Sequence, residues 1–114
     1  MRVKIIQFIL FYALFHSMIG CSAKVAPPLK DITNAKMALA NAKDADAQNL
    51  APQSFKLAQK HYEDLKSFMD KKEYKKAKYS AQKAYIKAKL AHTKANKAKI
   101  KKRVDKLSAD VGWL

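Results

Sequence analysis

From Tyr74 onward alanine returns at Ala77, Ala81, Ala84, Ala88, Ala91, Ala95 and Ala98. Alternating steps of four and three keep all seven on one face of an α-helix, a period that a strand does not reproduce. Alanine has the highest helix propensity, and its methyl group lets a neighbouring helix approach closely. A second row, Lys76, Lys83, Lys87, Lys94 and Lys101, lies about a quarter-turn from the first at roughly 100° per residue. One long helix therefore offers a narrow packing seam bordered by positive charge, and the rest of the chain must supply what lies on that seam.

Turn residues are scarce. Glycine occurs only at Gly20 and Gly112, and proline only at Pro27, Pro28 and Pro52. Hairpin strands beyond Pro52 are therefore not expected, and the chain reads as all-α. With 114 residues it forms one domain at most, with a small core to which alanine adds little apolar area. The expected architecture is an elongated antiparallel helical hairpin of two to three helices, packed in the manner of a coiled coil or a tetratricopeptide unit.

Residues 29–98 are expected to hold this hairpin. A first helix begins near Pro28 and runs to about Lys43, with Leu29, Ile32, Lys36, Leu39 and Lys43 along one line and Ala35, Met37 and Ala42 beside it. Residues 44–49 read as a loose connection. Pro52 suits the first position of a second helix. In that helix Phe55, Ala58, Tyr62, Leu65 and Met69 alternate by three and four, a heptad seam that Phe68 broadens. Asp70 to Glu73 make a short turn before Tyr74, so the aromatics of the second helix should meet the alanines of the third. Tyr79 and Tyr85, on the flank of the long helix, are expected to pack within the hairpin.

After Ala98 the apolar face changes sides. Ile100, Val104, Leu107, Val111 and Leu114 are again spaced by four and three, but they point away from the alanine seam. In this extension, residues 99–114, the helix either breaks near Lys99 or continues and offers a second surface.

The N-terminus reads as an address. Met1 to Lys4 are a short basic segment, Ile5 to Phe15 an apolar run too short for an ordinary membrane span, and His16 to Gly20 lead to the single cysteine, Cys21. Met18-Ile19-Gly20-Cys21 resembles a bacterial lipobox, with methionine and isoleucine where leucine and a small residue are commonest. The resemblance implies a signal peptide over 1–20 that is cleaved, and diacylglycerol and acyl lipid on Cys21. Residues 21–28, with Ala26-Pro27-Pro28, would be the acylated cysteine and a tether. Ser22 in the following position implies sorting to the outer membrane, facing the periplasm. A lone thiol excludes an internal disulfide.

Ala51-Pro52, the Phe55/Ala58/Tyr62 seam, the turn from Asp70 to Tyr74 and the alanine ladder together resemble small bacterial lipoproteins carrying an uncharacterised helical domain. Some members of that group continue into an OmpA-like peptidoglycan-binding domain, which is not expected in this chain. Members commonly carry glycine-aspartate-tyrosine in the turn. Lys72-Glu73-Tyr74 stands there instead, which would strain a left-handed position. Tyr74, Ala77, Ala81 and Ala84 also match the second helix of one tetratricopeptide unit, though its 34-residue period does not recur. Residues 103–111 resemble the heptads of the major murein lipoprotein. Its terminal lysine has no counterpart in Trp113-Leu114, so covalent wall attachment by that route is not expected.

Enzyme chemistry needs convergent polar groups at fixed spacing. Glu63 and Asp64 are adjacent and diverge on a helix. His61 and His92 have no metal-ligand partner at helical spacing, and no glycine-rich loop could cradle a phosphate. No enzyme, metal or other cofactor is expected. The chain carries 24 Lys+Arg against nine acids, a formal net charge of +15. In an exported protein such charge is either a compositional bias toward lysine, a good helix former, or a surface for anionic lipid headgroups, lipopolysaccharide or wall polymers; nucleic acid is not expected. Two functions remain open. One is a non-catalytic envelope scaffold or adaptor that binds another protein or itself through Ile100, Val104, Leu107, Val111 and Leu114. The other is an electrostatic binder of envelope polyanions through Lys76, Lys83, Lys87, Lys94 and Lys101.

Overall fold

A computed structural model describes residues 3–4 and 24–112. From Lys24 onward they form four helices: α1, Leu29–Asp44; α2, Ala47–Leu50; α3, Pro52–Asp70; and α4, Tyr74–Val111. The described residues contain no strand. Pro52 occupies the first turn of α3, where its missing N–H removes no helical bond. Cys21, Leu114 and all of the expected leader but residues 3–4 lie outside the described residues.

The alanine ladder is the axis of the bundle. Ala77, Ala81, Ala84, Ala88, Ala91 and Ala95 are all fully buried, and Ala98 is half-buried. α1 and α3 each pack chiefly on α4 and touch one another less. Leu65 clusters with Ala77, Ala81 and Ala84, Ala58 with Ala88, and Phe55 with Ala91 and Ala95. As α3 advances α4 recedes, so the two are antiparallel, with large residues set against small ones. In α1, Ala35 clusters with Ala77 to Ala84, Ala38 with Ala88, and Ala42 with Ala91 and Ala95. α1 therefore runs parallel to α4 and antiparallel to α3. Gln82 Nε2 donates to Asp31 Oδ1 at 3.3 Å near the start of α1.

The buried line of α1 differs from the stripe expected. It is Ala35, Ala38 and Ala42, with Ile32 and Leu39 partly covered, while Leu29, Lys36, Met37 and Lys43 are exposed. Only small residues fit where two backbones lie close, so α1 follows the same rule as α4. Tyr79 and Tyr85 were expected inside the hairpin, yet Tyr79 is 60% and Tyr85 37% exposed. On a straight helix Tyr79 falls nearly opposite the alanine seam, on a face that no other described helix covers.

The connections are tighter than their composition suggests. Residues 44–49 are not a loose link. Asp46 takes a left-handed conformation, φ 61°, its N–H donating to the Lys43 carbonyl at 2.8 Å, and one turn of helix follows at once. Asn49 Nδ2 donates to Asp46 Oδ1 at 2.6 Å. The α3–α4 turn has the expected left-handed residue, Lys72, φ 57°. Glu73 N–H reaches back to the Phe68 carbonyl at 2.8 Å and Lys72 N–H to that of Met69 at 3.0 Å, the paired bonds of a Schellman stop.

Candidate interaction surfaces

α4 does not break near Lys99. Its 38 residues span about 57 Å at the standard helical rise. Alanine, lysine and leucine, with no glycine or proline before Gly112, sustain it past the bundle. From Ile100 to Gly112 every described residue is exposed. Ile100, Val104, Leu107 and Val111 are 56–62% exposed, four branched aliphatics in one line on an overhang that no other described helix covers. Their helical face, opposite the alanine seam, is the one expected from sequence; the fifth member, Leu114, lies beyond the described residues.

The same outward face continues back along the bundle through Tyr79, Ile86 and Leu90, all exposed. These were missed in the sequence reading, although the signal was present. Tyr79, Ile86, Thr93, Ile100 and Leu107 stand seven apart, as do Leu90, Lys97, Val104 and Val111. Extending the C-terminal heptad backward would have found them.

The lysine row lies beside the alanine seam, and its members are unequal. Lys76 pairs with Glu73, and its Nζ stands 5.6 Å from the centre of the Phe68 ring. Lys83 Nζ sits 4.4 Å over the Tyr79 ring. Lys83 and Lys87 are half-buried, while Lys94 and Lys101 are exposed. Stems at the edge of the seam cover apolar surface and send their charged ends outward. A further basic group that sequence did not single out, Lys71, Lys72 and Lys75, crowns the α3–α4 turn, where Lys24 and Val25 of the incoming chain share an open cleft with residues 72–76. The N-terminal segment thus enters at the turn end, and the overhang leaves at the other.

A groove of about 400 Å³ between α1 and α4 is lined by Asn34, Met37, Ala38, Asn41, Tyr85, Lys89 and His92. It contains no carboxylate. Asn96 Nδ2 lies 3.3 Å from His92 Nε2, and His61 Nδ1 is 3.7 Å from Asp64 Oδ2. Each pair lies within one helix, the first in α4 and the second in α3. Among the described residues no three His, Cys, Asp or Glu side chains gather as a metal site would require, and no helix is long and apolar enough to cross a membrane.

Fold and surface together define a small all-α rod with a buried alanine axis and one uncovered apolar face. Residues 30–107 match the family model described as a domain of unknown function, DUF4398, and the chain belongs to that family. The match covers both the bundle and most of the overhang. No curated protein and no solved structure matches the chain.

Proposed function

We propose that this protein is a non-catalytic, lipid-anchored scaffold of the cell envelope, held at the outer membrane by acyl chains on Cys21, facing the periplasm and presenting its α4 overhang to a protein partner. The observation that carries the reading is the line Ile100, Val104, Leu107 and Val111, each more than half exposed on a helix that outruns its bundle. Exposed apolar surface in one contiguous line marks an interaction site more often than scattered single residues do. The entry of Lys24 and Val25 at the opposite end supports it, because an anchor there would leave the overhang at the far end of the rod, clear of the tether. Several acyl chains hold a protein firmly where one does not.

Two experiments test this. Labelling cells with radioactive palmitate should mark the wild-type chain and not Cys21→Ala; equal labelling of both, or of neither, would remove the anchor. A photo-crosslinker at Ile100 should trap a complex in intact cells, and Val104→Glu with Leu107→Glu should abolish it. An unchanged complex would contradict the adaptor role.

A second reading has its own support. Lys71, Lys72 and Lys75 cluster at the end where the chain enters, and near an anionic membrane surface each basic residue contributes about 1 kcal/mol. In that reading the basic turn and the row Lys76 to Lys101 bind anionic lipid, lipopolysaccharide or peptidoglycan. Binding to anionic vesicles or purified sacculi should then fall steeply with salt and be lost when the lysines become glutamine. Salt-independent binding would set this reading aside.

A further inference from the structure

We propose that the occupant of the overhang is a second copy of the same chain, lying antiparallel along residues 100–111. The inference rests on the reading of the overhang as an interaction surface and names its partner. Two observations carry it: the seven-residue repeat of the uncovered face, and the charges that flank it.

Leu90, Lys97, Val104 and Val111 recur every seven residues, and Thr93, Ile100 and Leu107 follow each of the first three by three. These are the a and d positions of a coiled coil, whose knobs fit only a partner helix with the same repeat. An identical copy has that repeat by construction, and a two-fold axis makes the same patch serve both sides. β-branched Val at a and Leu or Ile at d are exposed and in helical conformation already, so pairing requires no refolding.

Charge selects orientation and register. In an antiparallel pair a packs against d of the other helix, and the flanking g and e positions face their own kind. With Val104 beside Leu107 of the second copy and Ile100 beside Val111, Arg103 at g faces Asp110 at g, twice by symmetry. Lys101 at e then faces Ser108. Sliding one helix by a heptad toward greater overlap places Arg103 opposite Arg103 and Lys101 opposite Lys101. A parallel pair would stack Lys97 on Lys97 at a core position and leave Arg103 facing Ser108. Only the short antiparallel overlap, among these, brings opposite charges together and keeps like charges apart. Four aliphatics per copy make a small interface, below the roughly 1,200 Å² of a stable complex, so the dimer is weak and concentration-dependent. Its two bundles stand at opposite ends, with Tyr74 of the copies about 95 Å apart at the standard helical rise.

The test uses the full chain with Cys21→Ser, to leave no native thiol, in detergent micelles. Sedimentation equilibrium should show a reversible dimer that Val104→Glu with Leu107→Glu abolishes. Arg103→Glu and Asp110→Arg should each weaken it about tenfold, since two symmetric pairs are lost and each exposed pair is worth a few-fold. The double exchange, Arg103→Glu with Asp110→Arg, should restore it. The two positions are two turns apart in one chain and both exposed, so neither misfolding nor an internal pair can produce that rescue. In a mixture, Val104→Cys chains should form disulfides with Leu107→Cys chains in preference to their own kind. Homodisulfides at both positions, or single exchanges that add without rescue, would overturn the antiparallel pair. A chain that stays monomeric while its overhang traps a different protein in cells would overturn the second copy and leave the adaptor reading intact; a monomer that traps nothing would overturn both.

Discussion

Within one continuous helix, the segment from Ala77 to Ala95 buries its smallest residues completely, while the segment from Ile100 to Val111 leaves its largest aliphatics in water. Hydrophobicity alone would assign the two the other way round. What separates them is company. α1 and α3 run along both flanks of the first segment, where only methyl groups leave room for three backbones. Past Ala98 neither flanking helix reaches, so valine, isoleucine and leucine are left exposed among the described residues. Burial here follows how closely helices can approach, and exposed apolar residues report an absent neighbour.

The largest effect should come from the few large residues that the alanine segment does have against it. Among the described residues Leu65 is the one large side chain that is fully buried, so Leu65→Ala should cost about 2–5 kcal/mol, read by thermal or urea unfolding. Making the two segments alike from the other direction, Ala84→Leu should cost about 1–3 kcal/mol by overpacking. A tolerated leucine there would mean the three helices are not in close contact at that level. Lys72→Gly should stabilise the bundle by about 0.5–1 kcal/mol, because a left-handed residue with a side chain costs roughly 1–2 kcal/mol and glycine returns only part of that gain in unfolded-state entropy. Smallest of all, Leu107→Glu should change the unfolding free energy of the monomer by less than about 0.5 kcal/mol, although it should destroy association.

Much of this was legible from residue spacing. The alanine ladder, the Phe55 to Met69 seam and Pro52 as a helix start follow from local rules of helix period and capping, whereas a left-handed Lys72 follows from the resemblance, through the glycine that similar proteins carry in that turn. The face of α1 was not, because its line of leucine, isoleucine and lysine looked more apolar than its line of alanines, and only the approach of α4 decides between them. Asp46 likewise was hidden in a stretch rich in polar residues, where a tight stop and a loose link have the same composition. Tyr79 is exposed because its helical angle sets it nearly opposite the alanine seam, whatever the size of its ring. On the surface, the stripe from Ile100 to Val111 is exposed on the face that its spacing predicts, but its extension to Tyr79 needs the heptad to be carried across a lysine and a threonine.

Hydrogen exchange on the full chain at two protein concentrations measures the contrast between the segments directly. Amides from Ala77 to Ala95 should be strongly protected and independent of concentration, being held by the bundle. Those from Ile100 to Val111 should exchange fast when dilute and slow when concentrated, as a second helix covers them. Equal protection of residues 100–111 at both concentrations would contradict the account, and fast exchange across the alanine segment would contradict the bundle itself.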